Sequence, residues 1–98
     1  MRLHWNSKAR EDRLRFIAYI REKNPQAALD NDRHIADHAK KLVSTKVSYK
    51  NGRIAGTHEL IVSKRYVLVY QVKREVVEIL RVLHTSLATP ANLDDLMK

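Results

Sequence analysis

A chain of 98 residues, 44% hydrophobic and 31% charged, fits a single domain, 1–98, whose thin core hides only about 60–65% of the unfolded surface and cannot enclose a large cofactor. There is no cysteine, which excludes a structural disulfide, a thiolate zinc site and a thiol nucleophile. A formal net charge of +8 favours polyanionic partners: nucleic acid, the ribosome or an acidic protein.

Arg2–Trp5 alternates polar and apolar residues and reads as a short strand. Ser7 is the expected N-cap of a first helix to about Lys23, with Leu14, Ile17, Ala18 and Ile20 as its apolar stripe. Asn24-Pro25 ends that helix and opens a second, to about Val43, with Ala28, Ile35, Ala39 and Leu42 on its inner face. So short a break predicts an antiparallel helical hairpin. The chain then turns polar and basic through Ser44–Arg53, with a turn at Asn51-Gly52.

Strands are predicted at Thr57–Val62, Tyr66–Val72 and Val76–Leu83. Connections this short make them an antiparallel meander, one face on the helices and the other open to a partner. Leu68, Ile79 and Val82, with Leu14, Ile17, Ile35 and Leu42, are the expected core, while the strand parity facing the helices stays open. Thr89-Pro90 announces a short C-terminal helix. The fold class is thus α+β, ordered β-α-α-β-β-β: an antiparallel sheet carrying a helical hairpin on one face. Charges across residues 8–15 leave no signal-peptide core, and no apolar run approaches the about 20 residues of a membrane helix. A cytoplasmic protein is expected.

This order, in a basic chain of this length, resembles the RelE/ParE superfamily of type II toxin–antitoxin toxins, also known as plasmid stabilisation proteins. Gly52–Val62 (GRIAGTHELIV) resembles the family's glycine–arginine segment, Tyr66–Val72 its central strand, and Ile79–Ser86 (ILRVLHTS) its last strand. The resemblance implies a growth inhibitor neutralised by a cognate antitoxin, within a toxin–antitoxin hetero-oligomer. It implies one of two targets: DNA gyrase for ParE-like members, or mRNA on the ribosome for RelE-like endoribonucleases. His58 departs from the pattern, since relatives carry arginine there. The arginines of RelE-like ribonucleases fall at Val62 and Ser86, neither of which can stabilise charge on a phosphate. The gyrase reading is therefore preferred, with the mRNA interferase as its alternative.

If the chain is a ribonuclease, His84 and His58 are the candidate acid–base pair, with Glu59 beside them. Lys46, Tyr49, Lys50, Arg53, Lys64, Arg65, Lys73, Arg74 and Arg81 are candidate contacts for a polyanion or target. The central segment 46–75 carries seven basic side chains against two acidic ones. Lys64-Arg65 and Lys73-Arg74 read equally as solvated turn charges. His34 and His38 stand four apart, with Asp30 and Asp37 nearby, but helical surfaces often present such pairs and no metal is expected. No cofactor is expected either. Trp5 and Phe16 read as core.

Overall fold

A computed structural model describes residues 1–44 and 51–86. Lys46, Tyr49, Lys50 and the C-terminal helix expected after Thr89 lie outside the described residues. In chain order the elements are β1 (Arg2–Trp5), α1 (Ser7–Arg21), α2 (Pro25–Lys41), β2 (His58–Ile61), β3 (Tyr66–Lys73) and β4 (Val76–His84). The α+β order matches the sequence reading.

The cap of α1 is Asn6, one residue before the expected Ser7; its side chain accepts the Ala9 N–H at 2.9 Å. Asn24 caps α2 as expected, accepting the Ala27 N–H at 3.1 Å with Pro25 behind it. Each cap satisfies a donor that the first helical turn leaves unpaired.

The sheet runs β1-β4-β3-β2. The meander β2–β3–β4 is antiparallel, but β1 enters beside β4 in parallel, so the sheet is mixed rather than wholly antiparallel. The chain makes this parallel pairing because both helices intervene between β1 and the meander, which gives it length to cross over. At β4 a bulge leaves Leu80 between Arg81, opposite Val69, and Ile79, opposite Tyr70.

That bulge changes the inward parity of β4. Val77 and Ile79 face the helices before it and Val82 after it, alongside Tyr66, Leu68 and Tyr70 of β3. Ala9, Ile35, Ala39 and Leu42 supply the helical side of the same core. Val67, Val69 and Leu83 form a second cluster with Ile54 against it. The second face of the sheet, expected to be open to a partner, is therefore covered at its centre: Val69 is 0% exposed.

The expected stripe of α1 is corrected. Leu14 is 66% exposed and Ala18 is exposed, while Ala9 and Asp12 are the buried positions of the helix and Phe16 packs against the core. Leu14→Lys should accordingly leave stability within about 0.5 kcal/mol. Leu68→Ala, at a fully buried position, should cost about 2–5 kcal/mol in urea titrations of the two variants. Equal losses would place Leu14 in the core.

Candidate functional site: a basic groove between the first helix and the sheet

Asp12 explains how α1 is set on the sheet. Its carboxylate, 2% exposed, accepts Arg81 Nε at 2.8 Å, Arg81 Nη2 at 3.0 Å and the Val82 N–H at 2.9 Å. The fork lies directly after the bulge. Its hydrogen bond with Asp12 holds the Arg81 guanidinium above its ordinary value, against the opposing pull of burial. Arg81, a sequence candidate for target contact, thus spends its fork inside the protein. A second fork, Arg13 to Asp32 at 2.8 Å, joins α1 to α2, with the guanidinium 4.4 Å over the Trp5 ring.

Fixed in this way, the C-terminal half of α1 overhangs the end of the sheet and leaves a groove of about 540 Å³. Arg15, Phe16, Tyr19 and Ile20 line it from α1; Arg65 and Tyr66 line it from the start of β3; His84 and Ser86 close it at the end of β4. Its floor is apolar, with Phe16 edge-on to Tyr66 at 4.9 Å, and its rim carries two arginines. The turn beneath is pinned by Thr85, whose N–H donates to Arg65 O at 2.7 Å and whose hydroxyl donates to Lys64 O at 2.6 Å.

His84 stands edge-on to Tyr66 at 5.5 Å. The Ser86 N–H donates to its Nδ1 at 3.2 Å, and the Ser86 hydroxyl lies 2.6 Å from the same atom. A backbone N–H can only donate, so Nδ1 is the acceptor and the neutral ring carries its proton on Nε2. In that tautomer the nitrogen that is free of Ser86 is a donor, not a base.

Of the other described candidates Arg65 shares the groove with His84, whereas His58 and Glu59 do not converge on it. His58 is opposite Tyr70 and tilted over its ring at 5.4 Å, whereas His84 is opposite Tyr66. Four residues along β3 and two strands across separate the histidines by roughly 16 Å, from a rise of about 3.3 Å per residue and a strand spacing of about 4.8 Å. Glu59 is held by Arg53, whose N–H reaches Oε2 at 2.6 Å and whose guanidinium pairs at 3.0 Å. Val62 is buried, and its carbonyl accepts His34 Nε2 at 3.2 Å. His38 Nδ1 donates to His34 O at 2.9 Å, so both histidines of the α2 pair have a ring nitrogen committed to the backbone. No group of three or more His, Cys, Asp or Glu suited to a metal occurs among the described residues. Lys64 and Arg65 lie at the groove end of β3, Lys73 and Arg74 at the opposite end.

A family model, "ParE toxin of type II toxin-antitoxin system, parDE", matches residues 3–88. The chain belongs to the ParE toxin family. It falls within the RelE/ParE superfamily of type II toxins, as the strand motifs indicated. Among solved structures it is similar to a chain of the chromosomal ParDE TA system from P. aeruginosa. That match has a TM-score of 0.75 and 23% identity, and covers 86% of this chain and 95% of the other. No curated protein matches it by sequence. No helix among the described residues of this ParE-family chain is long and apolar enough to cross a membrane.

Arg15, Tyr19 and Ile20 were missed as groove residues by the sequence reading. Arg15 and Tyr19 are four apart, on the helix flank next to Phe16, and their position follows once Asp12 rather than Leu14 is turned inward.

Proposed function

We propose that this chain is a growth-inhibiting toxin that acts on DNA gyrase in the cytoplasm and is silenced when a cognate antitoxin occupies the groove at His84. Within an addiction module it would penalise loss of the DNA that encodes it. The observation supporting the gyrase reading is that, among the described residues, neither His58 nor Glu59 reaches His84: His58 is roughly 16 Å away, Glu59 is paired with Arg53, and Val62 is buried. Metal-free RNA cleavage needs both an acid and a base at the scissile phosphate.

The groove suits the antitoxin because it combines an apolar floor with a basic rim. An acidic amphipathic segment would lay apolar side chains on Phe16 and Tyr66 and carboxylates against Arg15 and Arg65. The mRNA interferase remains a second reading because those two arginines flank His84.

Purified components separate the targets. With gyrase, the chain should suppress supercoiling or accumulate cleaved DNA complexes; on translating ribosomes it should leave mRNA intact. Codon-periodic mRNA cleavage that falls by ~10²–10⁴ in His84→Ala, the usual worth of a general acid or base, would reverse the assignment.

A further inference from the structure

The β3–β4 hairpin is closed by only two residues, Arg74 and Glu75, since Lys73 is opposite Val76. Arg74 has φ 56°, the one positive φ at a non-glycine residue among those described. Glycine or asparagine occupies that region at less cost than an arginine, which pays a steric penalty at its Cβ. A two-residue hairpin demands a positive φ, and this chain fills that position with a cation instead of glycine. Here the side chain is exposed and makes no ion pair among the described residues.

Arg74 is not an isolated cation. The Arg2 N–H donates to Glu75 O at 2.8 Å, bringing β1 alongside the turn. Arg2, Lys73 and Arg74 are all exposed there, with Glu75 as the opposing carboxylate. The two basic ends of β3 differ in kind. Arg65, with Lys64 before it in the chain, lines the groove with its aromatic floor, which fits an amphipathic protein segment. Around Arg74 the only large apolar side chain exposed among the described residues is Met1, next to Arg2, with no aromatic floor to hold such a segment. Point charges with little apolar surface match phosphates on a nucleic-acid backbone.

We infer that the Lys73–Arg74 hairpin, with Arg2 beside it, is a second binding surface that takes the phosphate backbone of duplex nucleic acid. This surface is separate from the groove and does not depend on which target the toxin inhibits.

The test is fluorescence anisotropy with labelled duplexes of about 20 base pairs, DNA and RNA of one sequence, over a salt series. Arg74→Gly removes one phosphate contact and relieves the turn together. Its affinity should fall about eightfold at 0.1 M salt and its log–log salt slope by about 1. Its Tm should rise by about 4 °C. Arg74→Lys should retain most of the binding, and Arg33→Ala, an exposed cation on α2, should lose little. Binding of either duplex with this pattern supports the inference, and the tighter one names the source. Unchanged affinity in Arg74→Gly, an equal loss in Arg33→Ala, or a lowered Tm would overturn it. So would polyglutamate binding as tightly as the duplexes with the same sensitivity to Arg74→Gly, because the surface would then be an acidic-protein site.

Discussion

Asp12→Ala is expected to cost about 3–5 kcal/mol, the loss typical of removing one partner from a buried ion pair. Against a total stability of about 5–15 kcal/mol for a domain, that is enough to leave much of the chain unfolded. The cause is specific: the substitution removes the carboxylate that takes the Arg81 fork, whose side chain is 13% exposed, and orphans the Val82 N–H. Pairing Asp12→Ala with Arg81→Met should recover part of the loss, since the isolated buried charge is then gone. Because Asp12 raises the Arg81 pKa, the arginine's stabilising contribution is complete below its unfolded value and disappears only as pH rises through the folded one. That lies far above neutrality, so from about pH 5 to 9 Arg81 contributes no slope to stability. Urea denaturation of the two single variants and the double variant measures each term. A cost below about 1 kcal/mol for Asp12→Ala would show that the fork is not what seats α1.

Tyr19→Ala should weaken binding of the cognate antitoxin about 30-fold, the effect of truncating an aromatic anchor in a groove. Tyr19 is 64% exposed in the free chain, so the loss should come with little change in folding. Arg65→Glu, on the opposite wall, places a carboxylate where an acidic segment would approach and should cost about tenfold or more. The two positions are on different elements, and their combined loss of ~10²–10³ should appear mainly as faster dissociation. Calorimetric titration of the purified pair reads this directly. Affinities within twofold of the parent for both variants would move the antitoxin off this groove. Ile61, equally exposed at 64% but on β2, provides the control position.

The sequence disclosed α2 well, because its inner face is uniformly apolar and framed by Asn24-Pro25 and a basic last turn. α1 was misread for a physical reason. Its inward face holds Ala9, Asp12 and Phe16, a small residue and a carboxylate where periodicity looks for aliphatics. The more hydrophobic Leu14 therefore drew the stripe to the wrong side. Nothing local marks Asp12 as buried, since its partners Arg81 and Val82 are 69 and 70 residues away. The parity of β3 stayed open because Tyr66–Tyr70 is buried on both faces, which erases the alternation that would orient it. The bulge at Leu80 further breaks the alternation in β4. The groove was half legible: His84 and Arg65 come from strands that the motifs located, whereas Arg15 and Tyr19 depend on the rotation of α1. His84 and His58 sit four residues apart along β3 and two strands across, a register that one sequence does not specify.

The span between Asp12 and Arg81 also bears on how the toxin comes into being. Both the parallel pairing of β1 and the seat of α1 require β4, so contacts between the first and last thirds of the chain complete the core. Such non-local closure slows folding relative to a helical bundle of the same size. At a translation speed of about 5–20 residues per second, the 69 residues between the partners take about 3–14 s to synthesise. Throughout that interval Asp12 lacks the Arg81 fork and has only the exposed Arg15 of its own helix, 3.8 Å away in the folded chain, as a neighbouring cation. A nascent chain in this state has no finished groove and no inhibitory surface. The cell thus has several seconds in which the protein exists but cannot yet poison it.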